Sequence, residues 1–416
     1  MGKEGKFKKV AATEKCEKWD LLIRRPNELY SRSDEVRSIF ARDYTRILHS
    51  LAYRRLKHKT QVFFNIDNDH ICTRMEHVAH VESVSSTIAQ YLGLNTELTK
   101  AIAIGHDLGH APFGHHGEEI INKLYIEYLG ENHRFWHEKN GLRFVDDIEL
   151  LENNYKIYNN LNLTYAVRDG IISHCGEIDQ NGLKPRTDFI DLYEFKNPGD
   201  YQPFTWEGCV VKISDKIAYV GRDIEDALCL GFLDEDVRNK LKIMARANDE
   251  DAVNTTVIMH NLIIDICENS SPEKGICLSE KYYNQLNEIK DFNYKFIYGH
   301  ERLSAFKDYS RIVIKNIFNK LLSAYAGEFT WEKLHGLEKE SLTLVISFSK
   351  WLARYCDTDI VPEKEKSLKE LALKCENNKI YGRLENKEVY VQAILDYLAG
   401  MTDRFAIKIF NEFLAY

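Results

Sequence analysis

A chain of 416 residues with 56 Lys and Arg against 64 Asp and Glu has a formal net charge of -8, which excludes a generally basic, nucleic-acid-binding surface and leaves only local basic pockets. Only 7 prolines, ordinary hydrophobic content and long amphipathic stretches favour an all-α protein, in two or three domains or around one continuous core. The 9 cysteines are scattered, odd in number and without a Cys-x-x-Cys pair, which points to reduced thiols in a cytoplasm rather than a disulfide framework. The N-terminal MGKEGKFKKV lacks an apolar h-region, and Lys6 stands where a myristoylation signal needs Ser or Thr. Apolar runs such as LTLVISF are too short to span a bilayer, so a soluble cytoplasmic protein with no membrane partner is expected.

Residues 1–32 are charged and irregular and read as an extended arm. From Ser33 to Leu56 the pattern predicts one helix, with Val36, Ile39, Phe40, Tyr44, Ile47, Leu48, Leu51 and Ala52 on its apolar face. It ends at Arg54 and Arg55, which suit either a solvated cap or a phosphate contact. A turn or loop, KTQVFFNIDNDH, then carries Lys59 and Gln61.

In EHVAHVESVSSTIAQYLGL, Val81, Val84, Ile88 and Leu92 mark one helical face, and His77 sits one turn ahead on that face. Gly93 stops this helix, and Asn95 or Thr96 caps a second in which Leu98, Ile102 and His106 follow at four-residue intervals. Alone, His77 would suit a core histidine with one hydrogen bond. Its company changes the weighing, because AIAIGHDLGHAPFGHHGEE places four histidines, one aspartate and two glutamates in the fourteen positions from His106 to Glu119. Hard polar groups at the end of a buried helix need a partner, and adjacent His and Asp offer the nitrogen and anionic oxygen that a divalent metal accepts.

A fourth ligand is expected from a later helix, GCVVKISDKIAYVGRDIEDAL, where Val210, Ile213, Ile217, Val220, Ile224 and Ala227 form a core stripe. Nearly opposite run Asp215, Tyr219, Arg222 or Asp223, and Asp226, which suit either a solvated acidic face or a site wall. Residues 176–206 read as a long loop near the site or at a subunit contact, and the chain after Leu230 is again helical. The expected division is an arm (1–32), a catalytic core (33–235) and a C-terminal helical region packed on it (236–416).

The blocks YRRLKHKTQVF, TRMEH, GHDLGHAPFGHHGEE, LTYAVRDGIISH, VVKISDKIAYVGRDIEDAL, FIYGH and AGMTDRFA occur in this order from about Ser33 onward. Together they resemble the HD-domain phosphohydrolases of the deoxyguanosinetriphosphate triphosphohydrolase-like family. The resemblance implies metal ligation by His77, His106, Asp107 and Asp215, and a catalytic pair of His115 and Glu118. It implies that Gln61 and Asp223 hold the sugar 3′-hydroxyl, that Tyr219 packs on the 2′ edge, and that Arg74, Lys216 and His110 contact phosphate. Tyr298 matches a residue beside the base, and the GMTD turn (Gly400 to Asp403) is implied to lie near the base pocket.

The activity so implied is metal-dependent hydrolysis of a deoxynucleoside triphosphate, dGTP or several dNTPs, to deoxynucleoside and tripolyphosphate. The ion would be Mn or Mg first, with Fe, Co, Ni or Zn also suited to two imidazoles and two carboxylates. A homo-oligomer, tetramer or hexamer, is implied, with a nucleotide effector or single-stranded DNA as further partners. Departures from the family pattern are His80 for the usual Glu, Arg222 for a frequent His, and FWHEKNGLR, where His137 is kept and Glu138, Asn140 and Gly141 replace the rest. Two alternatives remain open: an HD phosphohydrolase for another nucleotide, a monophosphate or a signalling nucleotide, and a nucleotide-sensing or single-stranded nucleic-acid-binding protein.

Overall fold

The computed structural model describes residues 5–29, 34–63, 68–175, 180–244, 255–337, 342–363 and 365–414. Among these the protein is all-α, with one short antiparallel hairpin in which Leu150–Glu152 pairs with Tyr158–Asn160. None of the 9 cysteines is disulfide-bonded. No helix among the described residues is long and apolar enough to cross a membrane.

The chain forms two compact units, each discontinuous in sequence. Unit 1 is residues 1–48, 61–107 and 163–304, and unit 2 is residues 49–60, 108–162 and 305–416. The expected borders at 32/33 and 235/236 therefore do not coincide with the units, because packing partners rather than chain order define them.

Unit 1 is built on the helices Arg74–Leu92, Thr96–Gly105, Tyr165–Ser173 and Trp206–Cys229. Val84, Ile88 and Leu92 pack with Val210, Ile217, Val220 and Ile224, and with Ile258, Leu262, Leu286 and Ile289 of later helices. Each such side chain contributes roughly 1.5–3 kcal/mol on removal from water. Asn95 is the N-cap of the second helix, its side chain accepting from Glu97 N and Leu98 N at 3.1 Å each.

The described part of the expected arm is instead folded onto unit 1. Phe7 is fully buried, its N–H donates to Leu92 O at 2.9 Å, and its ring meets Trp206 edge-on at 4.9 Å. A charged segment escapes solvation here because one aromatic side chain and a few backbone bonds outweigh its lysines. Residues 1–4 and 30–33 lie outside the described residues, as do 176–179 of the expected loop.

The helix expected from Ser33 to Leu56 is two helices, Ile39–His49 and Leu51–Arg55, with a 3-10 turn at Leu56–His58. Ser50 breaks it by adopting an extended backbone and accepting from Tyr53 N at 3.1 Å, thereby capping the second helix. Val36 precedes the first helix and is 95% exposed, so it belongs to no apolar face. On the helix proper, Asp43 is fully buried and answers Arg25 Nη1 at 2.6 Å and Thr164 Oγ1 at 2.7 Å.

In unit 2 the helices Gly114–Leu129 and Lys387–Ala399 pack together. Between them the buried carboxylate of Asp396 accepts from Arg143 Nη2, Tyr381 Oη and Gln392 Nε2 at 2.7, 2.7 and 2.8 Å. Arg55 pairs with the buried Glu149 while Arg54 is exposed, so of the two candidate phosphate-reaching arginines one is an internal ion pair and the other a solvated cap.

Candidate metal centre and histidine cluster

His77 lies in the first turn of the Arg74–Leu92 helix, whose start is fixed by Thr73 N–H donating to Glu76 Oε2 at 2.7 Å. His106 is the C-cap of the Thr96–Gly105 helix, with Asp107 next, and Asp215 projects from the middle of Trp206–Cys229. These helices pack on one another within unit 1 and bring all four side chains together.

His77 Nε2 is 3.0 Å from Asp215 Oδ1 and 3.9 Å from Asp107 Oδ2. His106 Nε2 is 3.4 Å from Asp107 Oδ1 and 3.7 Å from Asp215 Oδ1. Ligands about 2.1 Å from a shared ion stand roughly 3.0–4.2 Å apart, depending on the angle between them. All four separations fall in that interval.

A sharper test of fit is the state of His106. Its Nδ1 lies 2.6 Å from Ala103 O, and because a carbonyl only accepts, Nδ1 carries the proton. In the neutral ring Nε2 is then a lone pair, fully buried, without a hydrogen bond, and facing two carboxylate oxygens. Acceptors confronting acceptors away from water repel, and a cation between them turns the repulsion into ligation. The residues fit a divalent metal.

Burial disfavours charge on His77, yet the hydrogen bond and charge of Asp215, with the charge of Asp107, raise its pKa above the usual histidine range. Burial likewise opposes the Asp215 carboxylate, but the His77 hydrogen bond and the neighbouring His106 and His174 hold it lower than usual.

Arg74 adjoins this cluster. Its Nη1 donates to Asp107 Oδ2 at 2.8 Å, while Nε and Nη2, equally buried, have no hydrogen-bond partner among the described residues. A guanidinium with two unmatched buried donors beside a cation site is suited to an oxyanion.

The remaining residues singled out in unit 1 line the Trp206–Cys229 helix and its neighbours. That helix is buried on most of its sides, Lys216, Asp223 and Asp226 included, so a solvated acidic face is ruled out. Asp223 accepts from Tyr298 Oη at 2.5 Å. Lys216 Nζ donates to Asn287 Oδ1 at 3.2 Å, and Tyr219 packs, half-buried, against the apolar core. Gln61 is half-buried with its Oε1 unbonded. Arg222, at the departure from the family pattern, pairs with Glu225 Oε2 at 2.6 Å.

His110, His115 and Glu118 belong to unit 2 and form a cluster with His137. His115 Nδ1 is 3.6 Å from Glu118 Oε2, and His137 Nδ1 is 3.0 Å from the same oxygen. The His137 backbone N–H donates to the other oxygen at 3.1 Å, and the His110 and His137 rings stack at 3.8 Å. Although burial opposes it, the charges and hydrogen bonds of His137 and His115 hold the Glu118 carboxyl well below the usual range. His115 is 64% exposed, so a base oriented by Glu118 faces outward.

Asp403 of the GMTD turn supports the loop entering this cluster. It accepts from Phe113 N at 2.8 Å, where Phe113 holds a left-handed φ of 65°, and from Thr60 N at 3.1 Å. Lys59, also buried, donates to the carbonyls of His110 and Ala399. Asp403 is expected in a turn near the base pocket and His137 stands out only as the residue kept in FWHEKNGLR, while Lys59 and His174 have no assigned role in the sequence, His174 being marked only by its place in LTYAVRDGIISH.

The HD domain family profile matches residues 74–220. The chain is 32% identical over 379 residues to a deoxyguanosinetriphosphate triphosphohydrolase-like protein of Caldanaerobacter subterraneus subsp. tengcongensis, covering 91% of this chain and 85% of that protein. A protein of the same description from Clostridium tetani is 31% identical over 91% of this chain and 86% of its own length. One from Rickettsia prowazekii is 29% identical, with 90% and 91% covered.

Proposed function

Because the chain belongs to the deoxyguanosinetriphosphate triphosphohydrolase-like family of HD-domain phosphohydrolases, we propose that it hydrolyses deoxynucleoside triphosphates, dGTP or several dNTPs, to deoxynucleoside and tripolyphosphate. The observation that carries this reading is the juxtaposition in unit 1 of a four-residue cation site with the two unmatched donors of Arg74. A site that takes a cation and an oxyanion side by side is what phosphate ester hydrolysis needs.

In this proposal His77, His106, Asp107 and Asp215 hold a divalent ion, Mn or Mg first among those the donor set accepts. When bound, the ion supplies Lewis acidity and countercharge to a phosphate oxygen. Arg74 binds a second oxygen of the same group, and Lys216 and His110 serve the rest of the triphosphate. The bond from the α-phosphorus to O5′ breaks, the oxygen of water bonds to phosphorus, and a proton must reach O5′. His115, oriented by Glu118, is the group proposed to move that proton. Gln61 and Asp223 are proposed for the 3′-hydroxyl, Tyr219 for the 2′ edge and Tyr298 for a place beside the base. A homo-oligomer in the cytoplasm, with a nucleotide effector, completes the reading.

The test is an assay of purified, Mn-loaded protein against the four dNTPs and the matching rNTPs with products resolved. Tripolyphosphate and a deoxynucleoside are expected, with rNTPs spared. Orthophosphate released from a monophosphate would instead establish the reading as a different nucleotide phosphohydrolase, and nucleotide binding without any turnover would establish a sensor.

A further inference from the structure

The N-terminal segment, folded onto unit 1, bounds with it a cavity of about 380 Å³, a size that takes one small molecule. Lys9, Lys15 and Lys18 line it, against one exposed carboxylate, Glu17. Phe204 and Trp206 supply an aromatic wall, and Lys18 Nζ stands 4.2 Å over the Phe204 ring. The N-terminus of the Trp206–Cys229 helix, capped by Thr205, opens into the same space and adds the partial positive charge of its first turn. That field favours an anion.

Glu207, also on the cavity lining, connects it to the cation site. It is fully buried, and its Oε1 accepts from Ala12 N and from Asn95 N at 2.9 Å each, while Asn95 Nδ2 donates to Ala12 O at 2.6 Å. One carboxylate thereby ties the N-terminal segment to the cap of the helix that ends at His106 and to the first turn of the helix that carries Asp215. The second oxygen, Oε2, is buried with no hydrogen-bond partner among the described residues. A buried polar atom left so is costly, and a ligand edge bearing N–H groups would satisfy it.

We propose that this cavity binds a nucleoside oligophosphate, with its phosphates on Lys9, Lys15 and Lys18 and its base between Trp206 and Glu207, and that the bound molecule clamps the N-terminal segment onto the two helices. Lysines hold phosphate as point charges, and an aromatic wall suits the flat face of a base. A bare inorganic anion would use the lysines but leave Trp206 and Oε2 unmatched. The inference rests on the reading that the protein has a nucleotide effector, and gives that effector a place; its test needs no turnover.

ATP and GTP, which the hydrolase reading leaves intact, are the probes, with inorganic tripolyphosphate as the comparison. Calorimetric titration of the full chain should show at least one of the nucleotides binding about tenfold or more tighter than tripolyphosphate. Lys9→Ala with Lys15→Ala removes two exposed side chains and should weaken nucleotide binding about tenfold or more, whereas Lys333→Ala with Lys350→Ala, two exposed lysines of unit 2, should change it less than about twofold. Phe7 N–H donates to Leu92 O and Ala12 N–H to Glu207, so saturating nucleotide should slow hydrogen exchange at both amides about tenfold or more in wild type, and not in the Lys9 and Lys15 variant. Absence of binding by both nucleotides, equal affinity for tripolyphosphate, equal effects of the two double variants, or unchanged exchange in wild type would each overturn the proposal. Hydrolysis of dNTPs by a protein that fails these tests would sink the effector site alone and leave the proposed activity standing.

Discussion

Arg74 and Asp107 form a buried ion pair, Nη1 to Oδ2 at 2.8 Å, with 2% and 4% of their side chains exposed. Asp107 is therefore shared: Arg74 holds one oxygen while the other lies 3.4 Å from His106 Nε2. The Arg74 guanidinium is the full positive charge bonded to Asp107.

Removing that charge has a cost that a metal should offset. Arg74→Met removes the guanidinium from the buried Asp107 carboxylate, and the loss is expected to be about 3–5 kcal/mol in urea melts of metal-free protein. With saturating Mn2+ the deficit should shrink, because the ion replaces the lost countercharge. Equal stability of variant and wild type without metal would contradict the arrangement.

Metal retention and turnover should separate between the two clusters. His106→Ala is expected to abolish hydrolysis and to lower bound metal measured by elemental analysis. His115→Ala is expected to abolish hydrolysis with metal retained, since His115 lies in the cluster with Glu118 and His137 and takes no part in the four-residue site. Wild type should gain about 2.7 kcal/mol of stability at a hundredfold excess of ion over its dissociation constant, a gain that His106→Ala loses.

Asp226 predicts a pH dependence. Burial pushes its carboxyl up to about 7, against the Cys72 N–H bond that lowers it, and the charge of Asp223 adds to the rise. A carboxyl raised in the fold is protonated in the folded chain while already ionised in the unfolded chain, so stability falls as pH rises from about 4 to about 7 and then levels. Asp226→Asn should flatten that window and be the more stable protein at pH 8, by an amount on the order of 4 kcal/mol at most. Parallel stability curves for the two proteins would refute the assignment.

Two glycines of unit 2 should tolerate no side chain. A Cβ at Gly109 would lie 2.1 Å from His137 O, and one at Gly117 would lie 1.7 Å from Pro112 O. Both obstacles are backbone, so neither can rotate away. Gly109→Ala and Gly117→Ala are each expected to destabilise by more than about 3 kcal/mol in denaturant melts, and near-neutral values would show that the loop is not held as described.

Local features of the chain were legible from sequence because they depend on near neighbours. Asn95 before Thr96 is a cap wherever that helix occurs, and His77 shares a face with Val81 through the helical repeat alone. The structure departs from the expected extended arm and unbroken Ser33 to Leu56 helix for the complementary reason: Phe7 is decided by a distant Trp206, and Ser50 by its own switch to an extended backbone.

Amino-acid order thus determined the helical class, the caps and the candidates His77, His106, Asp107 and Asp215, through periodicity and through the resemblance of ordered blocks. Tertiary structure alone decided that Arg74 would keep two donors unmatched, that Glu118 would answer His137 as well as His115, and that His174 would stand beside His106. Helical spacing fixes which way a side chain leaves its own axis. Which axes meet, and at what depth, depends on contacts such as Gly170 against Ile102, and these join residues that no local pattern links.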